Sequence, residues 1–461
     1  MKLVILFLLF AFCSARFYKF QANEDEIVDL PGLPSKPSFK QYSGYLNATN
    51  NRHLHYWFVE SAKDPANDPL LLWMNGGPGC SSLEGFLGEH GPFHVVPGTK
   101  KLYNNDFSWN TIANVLYLEA PAGVGFSYSD DKDYKTDDDK VSLDNYVAVQ
   151  NFFKKFPQFK KNDFYVTGES YGGIYVPTLT VRIFNGQDIN LKGFAVGNGL
   201  SSYPQNDNSL IFFLYHHGLF GKTLWDALTS HCCVGGMPSQ STCNFHNNVD
   251  KKCQSAVAQA NNIIFSSGVN PYDLYDVCNN SAMYSTRFET EIKHLFKSYK
   301  LNQNFKAKPA PQNLREDPPC VNDADLDNYL NQASVRKALH IPAQVQSWTI
   351  CSGDVSSTYK TLYDNMTAQY NTLKNLRGLV YNGDVDMMCN FLGDQWFVDG
   401  LNRKVVDDYT YWKLGSQVGG FVKHYENLDL VTIRGAGHMV PTNKPKEALK
   451  MISSFLYQKP Y

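Results

Sequence analysis

Beyond its first residues the chain has no apolar run approaching the roughly 18 residues that a membrane-spanning helix needs, so no membrane partner is expected. Its basic residues are scattered, with no run that would track a phosphate backbone. A formal charge of −2 and a pI of about 6.6 likewise offer a nucleic acid nothing to bind. A zinc site is excluded by cysteine spacing, because adjacent Cys232 and Cys233 and the wide later intervals form no C-x2-C pair of pairs. No metal is expected. Internal repeats and low-complexity tracts are also missing.

What is present is a chain of 461 residues, 43% of them hydrophobic, which is enough to bury a large core. The length allows two or three domains, but α/β enzymes of this size often run as one core with an insertion. Residues 1–15 have a basic start, a short apolar stretch and small residues at Cys13 and Ala15, the pattern of a secretory signal cleaved before Arg16. Of ten cysteines, removing Cys13 leaves nine. In an oxidising compartment these permit four disulfides and one free thiol. Sequons at Asn47, Asn279 and Asn365 fit secretory passage.

Segments Tyr42–Asn47 and His53–Val59 are rich in aromatic and β-branched residues and are expected to form paired strands. Buried strands are expected at Pro69–Met74, Ala113–Leu118, Phe164–Thr167, Leu191–Gly197, Leu376–Tyr381 and Leu428–Ile433, with a helix near Ser142–Phe156. Strands alternating with helical segments predict an α/β fold with a mostly parallel central sheet flanked by helices. From about 201 to 330 the buried-strand runs stop and cysteines gather, which predicts an inserted, disulfide-stapled, mainly helical cap. The core then comprises 16–200 and 331–461. The end of the cap, about 297–319, reads as an exposed, protease-accessible loop.

Gly168-Glu-Ser-Tyr-Gly172 follows one of these strands and precedes a helix. This is the G-x-S-x-G elbow that exposes a serine hydroxyl above a sheet. A serine nucleophile needs a base and a group to orient that base. Asp384 or Asp386 and then His438, each after a strand, complete the order Ser…Asp…His required by the α/β-hydrolase fold. An oxyanion hole needs two fixed N–H groups. One is that of Tyr171, and the other should come from the Asn75-Gly-Gly-Pro-Gly79 loop.

Trp73-x-Asn-Gly-Gly-Pro-Gly-Cys-Ser-Ser82, Gly168-Glu-Ser-Tyr-Gly172 and Gly435-Ala-Gly-His-Met-Val-Pro441 together resemble the serine carboxypeptidases, from about Phe39 to Tyr461. Gly123–Ser129, Ala195–Ser202 and Tyr381–Met387 are closer still to the lysosomal branch of that family. The resemblance implies that the catalytic acid is Asp386, with Asp384 structural, and that the nucleophile and base are Ser170 and His438. It implies oxyanion donors at Gly77 and Tyr171. Asn75 and Glu169, supported by Trp73 and Glu89, would hold the substrate carboxylate. The implied disulfides are Cys80–Cys351, Cys232–Cys253, Cys233–Cys243 and Cys278–Cys320, with Cys389 free beside the site. No cofactor is implied. A homodimer, a lysosome-like acidic compartment (with secretion as the alternative) and a stabilising role toward lysosomal glycosidases are.

A carboxylate at position 169 would repel a substrate's terminal carboxylate if both were charged. A protonated Glu169 can donate a hydrogen bond instead, and Glu89 nearby would favour that state. Peptide binding should therefore be best at acidic pH. One departure stands out: the family usually has Ala after Ser-Tyr, where this chain has Gly172. The expected activity is release of C-terminal residues from peptides with a free C-terminus. The rival readings are an esterase, deamidase or acyltransferase with the same serine, and a non-catalytic stabiliser.

Overall fold

A computed structural model describes residues 24–278, 320 and 324–461. The expected signal at 1–15, the sequon at Asn279 and the loop at 297–319 lie outside the described residues. Among the described residues thirteen strands follow in chain order: β1 (Gln41–Asn47), β2 (Arg52–Val59), β3 (Leu70–Met74), β4 (Phe93–Val95), β5 (Leu102–Asn104), β6 (Asn114–Leu118), β7 (Tyr128–Ser129), β8 (Phe164–Ser170), β9 (Leu191–Gly199), β10 (Arg377–Gly383), β11 (Val405–Leu414), β12 (Gln417–Tyr425) and β13 (Leu428–Ile433). All but β4 and β5 form one sheet, in the order β1-β2-β6-β3-β8-β9-β10-β13-β12-β11, with β7 on the flank of β2.

The middle of the sheet, from β6 to β13, is parallel throughout. Both ends are antiparallel, through β1–β2–β6 and β13–β12–β11. Parallel strands carry helices on both faces and so read as continuous apolar runs. In β3 all five residues are buried. Leu70, Leu72 and Met74 join one hydrophobic cluster, while Leu71 and Trp73 join the cluster on the opposite face. The helix Gly172–Gly186 contributes Ile174, Val176 and Leu179 to the first cluster, and the helix Pro445–Tyr457 contributes Met451, Ile452 and Phe455 to the second.

Two features differ from the sequence expectation in extent. The helix expected near Ser142–Phe156 begins a turn earlier and spans Asp138–Lys155, because the Asp137 side chain accepts from the Lys140 N–H. Acids in its first turn and lysines in its last also suit the helix dipole. The hairpin β11–β12 had no clear signal. Most of β11 is exposed, so its Val-Val-Asp-Asp-Tyr start lacks the buried, alternating pattern that marks a strand.

After β9 come three helices, Tyr203–His216, Lys222–Cys232 and Lys251–Ser266. The first lies along the helix Phe391–Gly400. The disulfide Cys232–Cys253 ties the second to the third, Cys233–Cys243 closes the loop between them, and Cys278 is joined to Cys320. Cys80–Cys351 links the loop after β3 to a segment 271 residues away. Among the described residues no helix is long and apolar enough to cross a membrane.

Candidate active site

Ser170, Asp386 and His438 all lie at or just beyond the C-terminal ends of parallel strands: Ser170 on β8, Asp386 after β10 and His438 after β13. That is where ligand sites form in open α/β sheets. Ser170 has φ +60°, in the left-handed region that a non-glycine residue enters only when its surroundings enforce it. The strain, on the order of 1 kcal/mol, is held by the pairing of β8 with β9 and by the Ser170 carbonyl, which accepts the Leu200 N–H at 2.9 Å.

His438 Nδ1 lies 2.7 Å from Asp386 Oδ2, with both side chains buried. Asp386 also accepts from Asn198 Nδ2 at 2.9 Å, the Met388 N–H at 2.8 Å and the Cys389 N–H at 3.1 Å. These bonds hold the carboxylate in place. With Nδ1 engaged, Nε2 is the imidazole atom open to a hydroxyl. Asp384 instead accepts the Gly435 N–H at 2.6 Å and so braces the histidine loop. Cys389 is a free, buried thiol, pushed well above its ordinary range by burial and then by the charge of Asp386. A thiol held protonated in this way is a poor nucleophile.

Tyr171 caps the start of the helix Gly172–Gly186, where N–H groups have no intrahelical acceptor. Its ring is fully buried, and its hydroxyl donates to Asp138 Oδ1 at 2.8 Å. The loop after β3 comes so close that a methyl at Gly76 would sit 2.4 Å from the Tyr171 nitrogen and 2.7 Å from Ser170 Cβ. Only glycine permits that approach. The next residue, Gly77, is thereby set beside the elbow, with φ +110°.

The adjoining polar group is built around Asn75. Its Oδ1 accepts from Trp73 Nε1 at 2.7 Å and from the Gly85 N–H at 3.2 Å, which fixes the amide orientation. Its Nδ2 then points at carboxyls: Glu169 Oε1 at 2.9 Å, Glu89 Oε1 at 3.2 Å and Glu84 Oε2 at 3.5 Å. Two buried acids, Glu89 and Glu169, and the half-buried Glu84 crowd one neutral amide, and like charges this close disfavour ionising all three. Burial first, and then the charges of Glu89 and Glu84, raise Glu169 well above the usual carboxyl range. Burial also lifts Glu89 to about 7, a rise tempered by its bonds to Asn75 and Glu169. Glu84 is lifted to about 8 by burial and by Glu89. Glu89 Oε2 has no donor among the described heavy atoms, and a proton carried by Glu169 supplies one.

Glu84 escaped the sequence reading. A π-helical turn at Gly85–Glu89 closes an i to i+5 bond from the His90 N–H to the Gly85 carbonyl, which brings residues five apart onto one side. The remaining expected positions are spread outward. Asn47 ends β1 on the surface, and Asn365 is half-buried with Nδ2 donating to Ser202 Oγ at 3.0 Å.

The sheet, its helices and the sharp strand-to-helix turn make this an α/β-hydrolase fold. The chain belongs to the serine carboxypeptidase family, whose model matches residues 31–458, and it is a hydrolase of that family. It is similar to the lysosomal protective protein of Mus musculus, at 48% identity over 95% of each chain. It is also similar to serine carboxypeptidase ctsa-4.1 of Caenorhabditis elegans, at 40% identity over 99% of this chain and 98% of that one. Among solved structures, a prohormone-processing carboxypeptidase from Saccharomyces cerevisiae superposes with a TM-score of 0.72 at 20% identity, over 95% of this chain and 96% of that one. That likeness establishes the shared fold.

Proposed function

We propose that the chain removes C-terminal residues from peptides through an acyl-enzyme on Ser170. Ser170 Oγ attacks the last peptide carbonyl while His438 Nε2 takes its proton, and Asp386 stabilises the resulting imidazolium. The N–H groups of Gly77 and Tyr171 bind the tetrahedral oxyanion. The C–N bond then breaks as His438 returns its proton to the leaving amine. Water adds to the ester by the same route in reverse, releasing the shortened peptide and restoring the serine.

The observation that carries the carboxypeptidase reading is the Asn75 amide facing three carboxyls at 2.9 to 3.5 Å. A proton-holding cluster with an amide donor is built to receive one further carboxylate, the substrate's C-terminus. Glu169 donates to it while protonated and repels it once ionised. Because burial raises Glu169 above its ordinary value, binding is strongest at acidic pH and weakens as pH climbs through that raised value.

The test is release of the C-terminal residue from a blocked dipeptide and from its amide, across acidic to mildly alkaline pH. It compares wild type with Ser170→Ala and Glu169→Gln. Release that is acid-favoured, dependent on Ser170 and selective for the free carboxylate supports the reading, with Glu169→Gln flattening the rise of KM with pH. Equal cleavage of the amide moves the assignment to an esterase or deamidase.

An acidic, lysosome-like compartment fits both this pH dependence and the similarity to a lysosomal protein. A homodimer would cover Val406, Tyr409 and Tyr411, which the outermost strand β11 leaves exposed. A stabilising role toward lysosomal glycosidases rests on the family resemblance alone.

A further inference from the structure

A cavity of about 460 Å³ adjoins the loops that carry Asp386 and His438, and no step of the proposed reaction uses it. Asp384, just after β10, and Arg434, just after β13, both line it. His217 adds a third polar group at the end of the helix Tyr203–His216. Phe391, the first residue of the helix Phe391–Gly400, and Phe421 on β12 supply apolar wall. The volume falls within the range of small-molecule pockets, roughly 300–1,000 Å³.

The wall carries opposite charges that lie near one another without being paired. Burial raises the Asp384 carboxyl above its ordinary value, while the Gly435 N–H and, more weakly, the charges of His217 and Arg434 pull against that rise. Asp384 Oδ1 accepts the Gly435 N–H at 2.6 Å, and among the described residues no ion pair joins this carboxylate to Arg434. A simple cation entering the cavity would meet Arg434, and a simple anion would meet Asp384. A ligand with both charges a few ångströms apart satisfies both groups, and an apolar arm fits the phenylalanine rings.

We infer that this cavity binds a free α-amino acid with an aromatic or aliphatic side chain, a choice of ligand that rests on the carboxypeptidase reading, since such amino acids are its products. The ammonium meets Asp384, the carboxylate meets Arg434, and the side chain lies against Phe391 and Phe421. Two bonds join this wall to the catalytic groups. Asp384 holds the Gly435 N–H, and the Val385 N–H donates to the Ala436 carbonyl at 3.0 Å, so the loop of Asp386 is tied to the loop of His438. An ammonium drawn to Asp384 competes with the Gly435 N–H and loosens that joint. Accumulated product then slows turnover from a second site.

The experiment measures initial rates on a blocked dipeptide with a glycine leaving residue while free L-phenylalanine is added. Filling the cavity should lower kcat by about fivefold with KM unchanged, the low end of couplings between distinct sites. N-acetyl-phenylalanine and phenylalaninamide each lack one charge and should need about tenfold higher concentrations, the scale of one lost charged hydrogen bond. Arg434→Gln should weaken the effect of phenylalanine by a similar factor, and Phe421→Ser should weaken it as well. The kcat of each variant without added amino acid shows that it is folded, and if Arg434→Gln is not, Phe421→Ser decides. A rise in KM alone puts phenylalanine in the active site and overturns the inference. No effect, or one that neither variant moves, overturns it too. Should the chain release no C-terminal residue, the carboxypeptidase reading falls, and equilibrium dialysis of labelled L-phenylalanine still decides the site. Binding that Arg434→Gln weakens upholds it, and equal binding or none overturns it.

Discussion

Asn75 Nδ2 donates to Glu169 Oε1 at 2.9 Å across 94 residues of chain, joining the loop after β3 to the residue beside the candidate nucleophile. The bond couples binding to chemistry, because Glu169 and Ser170 are adjacent on one rigid strand end. In the proposed function, a substrate held by its carboxylate at Glu169 would have its last peptide bond placed a fixed distance along that strand, which would restrict cleavage to the terminal residue. Such positioning is worth several orders of magnitude in rate when reacting atoms are brought to near-attack distance.

Replacing Asp386 with Asn should lower kcat by roughly 10³- to 10⁴-fold with a much smaller change in KM. An amide in that place can still bond to His438 Nδ1 but no longer offsets the imidazolium charge. Steady-state kinetics on a free-carboxylate dipeptide checks this. A variant retaining most of its kcat would leave Asp384 as the alternative acid, although Asp384 spends its Oδ1 on the Gly435 N–H.

Stability should fall as pH rises. Glu84 and Glu89 have folded values of about 8 and about 7, against 4.5 for an unperturbed glutamate. Between those limits the folded chain binds more protons than the unfolded one, so each step up in pH favours unfolding. Asp394, raised by burial to about 7, acts in the same direction. Thermal melts at a series of pH values should show Tm highest on the acidic side and declining toward pH 8. The double variant Glu84→Gln/Glu169→Gln should decline less steeply.

Gly85→Ala should damage carboxylate recognition selectively. Its new methyl would sit 2.2 Å from Trp73 Nε1 and 2.9 Å from Asn75 Oδ1, breaking the bond that orients the Asn75 amide. KM for a free-carboxylate peptide should rise at least about tenfold, a loss on the scale of a buried polar group left unpaired. An ester substrate lacking that carboxylate should be affected far less. Equal losses on both would mean that the substitution disrupts the elbow itself.

Gly172→Ala, by contrast, should be tolerated. A methyl there meets only the Met74 carbonyl oxygen, at 3.4 Å, an ordinary contact. Alanine is the better helix former, so chemical denaturation should show stability unchanged or raised by up to ~1 kcal/mol, with activity retained. A clear loss of either would show that the elbow depends on glycine at this position.

Much of this architecture can be read in the one-dimensional string. The parallel strands announce themselves because burial on both faces demands unbroken apolar runs such as Leu70–Met74, and the elbow because a serine at φ +60° needs a tight approach to its neighbours. The order of Ser170, an aspartate and His438 narrows the fold before any contact is known. Hairpin β11–β12 stays hidden because an exposed edge carries no pattern of burial. Residue type and strand order alone leave Asp384 and Asp386 open, since both follow β10, and only the family resemblance points to Asp386. In the folded chain it is Asp386 Oδ2 that lies 2.7 Å from His438 Nδ1. Glu84 joins Glu89 only because a π-helical turn aligns positions five apart, and helical periodicity read from sequence would separate them. Residue types and their order are local quantities and were legible from the start. Raised proton affinities and the reach of Asn75 across three acids arise from chain segments far apart in sequence that share one small, water-poor volume, and only the folded chain brings them together.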